Sequence, residues 1–567
     1  MRSTFMGLEA SKRGLYTQQS ALYTTGHNIA NANTEGYSRQ RVNMEPTLGY
    51  PGTGLNAPKV AGFIGTGVKA SSVQRIRDAF VDRQYRQETN KLGYWETKSK
   101  SISQLEDILN EPSDYGLAKA LDGFWNSLQD LHVHPEDGGA RTVVVQRAIA
   151  VADSFHYIYN SIQQLRENAA NEIGITLRDI NSVLEQIAHL NYQIQSVEPN
   201  GYMPNDLYDE RDKLLDQLST YIPIELEYEK SGGNALAIAE GSVRVFLKLS
   251  DGTKVKLVDG KDFAQLRNSG ASTSDGLTPT DSVKGFKIVR VDEIGNETEI
   301  DININQFSNL GKLKSLVDSY GYIDINGNQK GLFPENLEKI NRLAKEFAEA
   351  FNELHRKGTD LDGKQGVDFF VKNNSDNEIT AGNIYVSDTI INSPNKIAAS
   401  KIAASDSNSG STSDSTSGST SDSNSGSTSD SNSGSTSGST SGSTSDSTSG
   451  STSGNAEPGN GKNALALANL KFQTLEGLKG VSIQSYFEGF VGQLGVDGQQ
   501  AERLTYNAQT LQQSVSERRS SISSVSLDEE MTNMIAFQQA YNANARMITA
   551  IDEILDKIIN GMGRVGL

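Results

Sequence analysis

The sequence of 567 residues contains no cysteine. Disulfides and thiolate metal sites are therefore excluded, and stability has to come from packing. Positive charge is scarce relative to negative: 52 Lys and Arg stand against 70 Asp and Glu, a formal net charge of −18. The basic residues are not clustered, which argues against nucleic acid and against an anionic membrane surface as partners. Long apolar runs are missing as well. No stretch approaches the ~18 residues of a membrane span, so membrane insertion is not expected. The start, Met1-Arg2-Ser3-Thr4-Phe5-Met6-Gly7-Leu8, lacks the apolar run and small-residue site of a secretory signal. The expectation is a cytosolic protein, or one that leaves by a route needing no cleaved signal. The length excludes a single core and predicts roughly three or four domains of ~100–200 residues.

What is present is concentrated at the two ends. Leu8, Leu15, Leu22 and Ile29 recur every seven residues, the spacing of a narrow apolar seam on a helix that packs against another helix. At the other end Met534, Phe537, Tyr541, Ile548, Ile551, Leu555 and Ile558 mark a second seam at three-four spacing. Neither stripe has an apolar partner nearby in sequence. The two ends are therefore expected to pair as a coiled coil, with the rest of the chain looped out between them. An apolar stripe more often marks an ordinary core, but these are narrow and include Gln18, Gln19 and Gln538, which favours helix pairing and self-association.

Between the ends, residues 1–31 read as a helix stopped at Asn31–Gly36, and 41–75, rich in Gly and Pro, read as an extended connector. Helical patterning runs with breaks from Asp78 to Leu131, and 132–139 is a loop. Val144, Ala148, Val151, Phe155, Ile158, Ile162 and Leu165 then alternate steps of four and three, and the pattern resumes from Leu177 to Ile194 after a phase slip around Ala169. A helix of ~50 residues would reach ~75 Å, a scaffold element rather than the wall of a compact enzyme. From Tyr221 the period becomes two: Ile222, Ile224, Leu226 and Tyr228, then Val243 to Leu249, then Ile300 to Ile304. Asp251-Gly252 is a hairpin signal. Helical spacing returns from Leu337 to Leu354, with Pro334 suited to a helix start. The pentapeptide Lys-Ile-Ala-Ala-Ser occurs twice in tandem, at 396–405, before a Ser/Thr/Asp/Gly tract over 405–454 that holds almost nothing apolar and is expected to be disordered. Helices are expected again over 484–519 and 527–560.

Candidate chemistry is thin. His132 and His134 lie near Glu136 and Asp137, but no third ligand at useful spacing is evident, so no metal is expected. His27 has no identifiable nucleophile or orienting acid, and reads as a capping or interface residue. Asn28, Asn31 and Asn33 suit turn and cap chemistry, packing between subunits, or both. No catalytic residue and no cofactor are expected.

The run Asn28-Ile29-Ala30-Asn31-Ala32-Asn33-Thr34-Glu35-Gly36-Tyr37-Ser38-Arg39-Gln40 resembles the N-terminal signature of bacterial flagellar rod, hook and hook-associated proteins, and Tyr37-Ser38-Arg39-Gln40 is most similar to the hook-associated members. The segments Ser526–Met531, Phe537–Arg546, Ile391–Ala398 and Asn463–Leu467 are similar to the same family. The resemblance implies a structural, non-enzymatic axial component that assembles at the distal end of the hook and connects hook to filament. It further implies a homo-oligomeric ring, hook protein below, a second junction protein and filament above, export without a cleaved signal, and a cytoplasmic chaperone on the C-terminal segment. The 401–454 tract departs from the family pattern, and 222–330 carries no matching motif.

The expected architecture is mainly α with an inserted β domain. A terminal coiled coil would be formed by 1–45 and 523–567. A long helical rod would be formed by 46–221, 333–400 and 459–522. An outer β-rich domain would occupy 222–332, and a disordered loop 401–458. A secreted adhesin or scaffold with the Ser/Thr/Gly tract as its stalk is the alternative, but an adhesin has no need for matched seams at both termini.

Overall fold

A computed structural model describes residues 4–50, 65–109, 116–269, 282–291, 297–308, 310–373, 378–401 and 459–561. The Ser/Thr/Asp/Gly tract, and the second Lys-Ile-Ala-Ala-Ser copy beyond Lys401, lie outside the described residues. The chain forms two compact units. One comprises Met1–Pro112, Tyr157–Ile340 and Glu488–Leu567; the other comprises Ser113–His156 and Asn341–Phe487.

Helix α1 (Thr4–Ala30) ends in a turn in which Gly36 takes a φ of 86°, a conformation open to glycine because it has no Cβ. The following segment is not a single extended connector. Strands β1 (Gln40–Pro46) and β2 (Val68–Arg75) pair as an antiparallel ribbon, Gln40 opposite Arg75, with a bulge at Asn43/Met44. Gly and Pro in the segment suggested coil, whereas the pairing depends on a partner strand more than twenty residues away. Helices α2 (Ala79–Leu109), α3 (Leu117–Val133), α4 (Gly138–Val197) and α5 (Asn205–Tyr221) follow. The predicted long helix is one continuous run of 60 residues.

The change of period at Tyr221 marks the start of a six-stranded antiparallel meander, ordered β3 (Ile224–Glu229), β4 (Ser242–Lys248), β5 (Lys254–Asp259), β6 (Asp262–Asn268), β7 (Gly285–Val291) and β8 (Glu297–Asn303). The Asp251-Gly252 turn forms as predicted, Gly252 at φ 84° and Thr253 N–H donating to Asp251 Oδ1 at 2.8 Å. Two asparagines of α4 complete the sheet's main-chain bonds. Asn191 donates to Val243 O at 2.8 Å and accepts from Val243 N at 3.0 Å, and Asn181 does the same for Leu266 at 2.9 and 2.7 Å. The two edge strands carry acids at every second position: Glu225, Glu227 and Glu229 on β3, and Glu297, Glu299 and Asp301 on β8. Charges on sheet edges discourage pairing with foreign strands.

After α6 (Lys312–Tyr320) and the small hairpin β9 (Tyr322–Ile323) and β10 (Gln329–Lys330) comes α7 (Leu332–Arg356). Pro334 lies in its first turn, where a missing N–H removes no helical bond. The second unit adds β11 (Gly358–Thr359), β12 (Phe370–Lys372), β13 (Ile384–Val386), α8 (Asp388–Asn392), β14 (Ser400–Lys401) and α9 (Lys462–Ala468). Its core is aromatic: Phe124, Phe155, Phe347, Phe351, Phe369 and Phe370 are fully buried, with ring centroids 4.9 Å apart for Phe347 and Phe370. Arg141, also buried, is held by carbonyls, its Nε donating to Pro135 O and its Nη1 to Ile397 O, both at 2.8 Å. Burial lowers its guanidinium to about 10, with Asp360 opposing. The return is made by α10 (Ile483–Ser523) and α11 (Leu527–Gly561). No helix among the described residues is long and apolar enough to cross a membrane.

Candidate functional site

Helix α1 lies along α11. A Cβ added to Gly7 would sit 3.4 Å from Ile551 Cδ1, one on Gly14 would sit 2.8 Å from Asn544 Oδ1, and Asn28 Nδ2 donates to Glu530 Oε2 at 3.1 Å. Each advance along α1 is matched by the same retreat along α11, so the pair is antiparallel in one register. That register also sets buried Ala21 opposite Phe537. The row of closest approach is therefore Gly7, Gly14, Ala21 and Asn28. The row Leu8, Leu15, Leu22 and Ile29 lies one position further on and is half-buried. Small residues let the two backbones come together; a leucine row would hold them apart. A second face of α1 packs on the β1–β2 ribbon, where Thr17 Oγ1 donates to Val68 O at 3.3 Å. On α11, Met534, Phe537, Tyr541, Ile548, Ile551 and Leu555 are half-buried and Ile558 is exposed. Met531, Ile535, Met547 and Ile554 are exposed by 50 to 56%.

The signature after α1 forms a lock. Asn28 is buried and uses its whole amide: Nδ2 donates to Gln40 O at 2.8 Å and to Glu530, while Oδ1 accepts from Gln40 N at 2.9 Å and from Tyr37 Oη at 2.8 Å. Tyr37 Oη also meets His27 Nδ1 at 3.0 Å. Burial, then Asp206, Asp209 and Glu530, push the Tyr37 hydroxyl well above its ordinary value, so it stays a donor. Ser38 presents its N–H and Oγ to Asp209 at 3.0 and 2.6 Å. Arg39 forks to Glu530 and Glu529, both at 2.7 Å, and its N–H donates to Ser523 O at 2.9 Å. Gln40 reaches Asp206 at 3.0 Å. Asn31 and Thr34 bond within the turn, Thr34 N–H donating to Asn31 O at 2.9 Å. Ala30, Asn33 and Gly36 are exposed. The signature thus ties the end of α1 to the start of α11 and to α5.

Behind the lock lies a buried charge network that the sequence reading did not single out. Asp212 faces Arg75 at 3.0 Å, Arg77 at 2.9 Å and Arg86 at 3.1 Å. Arg75 also pairs with Asp209 at 2.6 Å, and Arg519 of α10 pairs with Asp82 of α2 at 2.9 Å and Asp216 of α5 at 2.7 Å. Burial would raise the Asp212 carboxyl, but Arg77, Arg75 and Arg86 reverse this and hold it far below the carboxylate range. At Asp209 burial wins and raises the carboxyl, against Arg75 and the Ser38 bonds. Removing one partner of such a cluster strands a buried charge, at a cost of ~3–5 kcal/mol. One local signal existed: Asp209, Asp212 and Asp216 recur at three-four spacing and form an acidic stripe on α5.

His132 spends Nδ1 on Gly461 O at 2.9 Å, and no group of three His, Asp or Glu residues that could hold a metal occurs among the described residues.

A relative from Bacillus subtilis, flagellar hook-associated protein 1, is 42% identical over 572 residues, covering 99% of this chain and 99% of that protein. The chain belongs to the flagellar hook-associated protein 1 family. The Escherichia coli protein of that name is 26% identical over 584 residues, covering 96% of this chain and 98% of its own. The Salmonella typhimurium one is 29% identical over 362 residues, covering 63% and 58%. The family described as flagellar hook-associated protein FlgK helical domain matches residues 102–370. The flagella basal body rod protein family matches 8–37, and the C-terminal family of the basal body rod FlgEFG proteins matches 518–561. The last two matches bracket α1 with its turn and α11 with the end of α10. The flagellar hook junction protein FlgK from Burkholderia pseudomallei shares the fold, with a TM-score of 0.54 at 16% identity, covering 78% of this chain and 100% of that one.

Proposed function

We propose that this chain is a structural, non-enzymatic subunit of the bacterial flagellum, placed at the distal end of the hook and connecting hook to filament. The observation that carries this reading is the full-length likeness to a hook-associated protein 1, together with the α1–α11 lock built from the signature residues. In this reading α1 and α11 form the terminal coiled coil and copies close into a ring. Hook protein lies below, and a second junction protein and filament lie above. The exposed apolar residues of α11 support contact with neighbours, since such a surface is costly to leave in water. The chain leaves the cell without a cleaved signal, and a cytoplasmic chaperone covers the C-terminal stripe beforehand.

The test is a pair of double variants. Ile551→Asp with Leu555→Asp places charges at two half-buried positions of α11, the first beside Gly7 of α1, and desolvating them without a partner costs several kcal/mol. Cells carrying it should lack filaments at the hook end. Asp552→Ala with Asp556→Ala alters exposed positions and should leave attachment intact. Normal assembly of the first variant would remove the seam from the mechanism, and secreted monomer in the medium separates failed assembly from failed export.

A further inference from the structure

The pentapeptide that the sequence repeats in tandem fills a socket of the second unit with its first copy. Ile397, Ala398 and Ala399 are fully buried and Ser400 nearly so. Lys396, half-buried, holds its Nζ 2.6 Å from Asp362 Oδ2 and 3.3 Å from Asp360 Oδ2. The polar grip on the rest is to main chain. Ile397 O accepts from Arg141 Nη1 at 2.8 Å, Ala398 N–H donates to His355 Nε2 at 2.9 Å, and Ala398 O accepts from Asn463 Nδ2 at 2.7 Å. Ala399 O accepts from the N–H groups of Asn463 and Ala464 at 3.0 and 3.1 Å. Ser400 lies opposite Thr359 in the β11–β14 pair. A Cβ on Gly366 would sit 2.7 Å from Ala398 Cβ, so the third position of the pentapeptide has room for a methyl and little else. Every side chain that the socket reads recurs five positions later, as Lys401, Ile402, Ala403, Ala404 and Ser405. The flank adds main-chain contacts: Pro394 and Asn395 meet Arg141 through their carbonyls at 3.3 and 3.4 Å, groups that Ala399 and Ser400 also carry. Lys401, opposite Gly358, is exposed, so Asp406 can stand in its place without desolvation.

We propose that the socket binds either copy of the pentapeptide, so that the chain holds two registers five residues apart. In the second register Lys401 pairs with Asp360 and Asp362, Ile402 is buried, and Ala403 and Ala404 take over the bonds to His355 and Asn463. The linker from buried Ile390 to the socket then grows from 391–395 to 391–400. Loop entropy changes slowly with length, and such a doubling shifts the balance by only about threefold. On the other side the Ser/Thr/Asp/Gly tract, which by composition has almost nothing to bury, gives up the same five residues. The second unit is closed in both registers, while ~17 Å of extended chain passes across the socket. Slack is thereby taken in or let out on either side without opening the aromatic core.

The test uses the purified full chain and hydrogen exchange of amides 341–356 and 462–468, in Ile397→Asp, Ile402→Asp and the two together. Ile397→Asp forces the second register and should speed exchange by no more than about fivefold. Ile402→Asp should change it less. The double variant has no copy fit for burial and should speed exchange by about a hundredfold or more. Because the chain has no cysteine, Ser405→Cys supplies a single thiol, of nearly the size of the serine it replaces. In the second register that thiol lies at the buried place of Ser400, so adding Ile397→Asp should slow its reaction with a thiol reagent by about tenfold or more. A loss in Ile397→Asp as large as in the double variant, or a thiol whose reactivity Ile397→Asp leaves unchanged, overturns the proposal. Protection of the thiol that appears only as chain concentration rises also overturns it, and would assign the second copy to the socket of a neighbouring molecule.

Discussion

Asn28 and Glu530 stand 502 residues apart in the chain and meet at 3.1 Å, the amide of one donating to the carboxylate of the other. Glu530 receives Arg39 on its second oxygen at 2.7 Å. The end of α1 and the start of α11 are therefore held by the same three side chains. This contact fixes the two helices to each other at that end.

Asn28→Ala should release α11 from α1. It leaves the buried N–H and C=O of Gln40 unpaired, and the loss should be ~3 kcal/mol. Asn28→Asp should be worse, because it places an acceptor against Glu530 and Gln40 O. Asn33→Ala, at an exposed position of the same signature, should be neutral. Hydrogen exchange of α1 and α11 amides reads the difference, and equal protection in all three would show that the amide is not the clamp.

Gly14→Val should push α11 outward, because its first carbon already lies 2.8 Å from Asn544 Oδ1; the overpacking cost is ~1–3 kcal/mol. At Gly26 an added carbon meets nothing within 4 Å, so Gly26→Ala should stabilise α1 by ~0.5–1 kcal/mol through helix propensity. Opposite signs in thermal melts of the two variants would establish the register. A loss of the same size at both would contradict it.

Folding of the second unit should weaken as pH falls between 6.5 and about 4. His355 is buried, with Nε2 accepting from Ala398 N–H at 2.9 Å, which forces its proton onto Nδ1 facing Val367 O at 2.6 Å. Burial is the main cause that pushes it down to about 4 from 6.5. In that window the unfolded chain binds a proton the folded one does not, so stability is complete above it and is lost as pH falls through it. The total is roughly 3 kcal/mol at ~1.4 per unit. His355→Gln should lose this part of the pH slope in denaturant titrations of the second unit. An unchanged slope would mean that the imidazole does not titrate there.

Replacing Glu225, Glu227, Glu229, Glu297, Glu299 and Asp301 by Thr should leave the sheet folded but promote association of copies through their sheet edges. Threonine suits a strand and removes the charge that keeps foreign strands away. Light scattering against concentration is the measurement. A variant that stays monomeric at every concentration would show that the acids serve another purpose.

Much of this was open to reading in the linear chain, for a physical reason. Helices and strands are decided by residues within a few positions of each other, so the seven-residue rows at both ends, the 60-residue α4 and the period-two strands all have local signatures. The resemblance at 28–40 marked the signature residues but not what they bind, since Asn28, Ser38 and Arg39 find their partners at Glu530, Asp209 and Glu529. The closest approach of α1 to α11 runs through Gly7, Gly14 and Ala21, one position before the leucine row; sequence patterns are searched for large apolar residues, whereas close helix approach selects small ones. The β1–β2 ribbon and the Arg75–Arg77–Arg86–Asp212 cluster had no comparable trace: strand pairing and buried charge compensation join residues more than twenty to more than one hundred positions apart. Local periodicity set what each segment would become. Which charges would be buried together, and which helix face would be covered, was decided only when the folded chain brought distant segments into contact, because a buried ion is tolerated only where its counter-ion arrives with it.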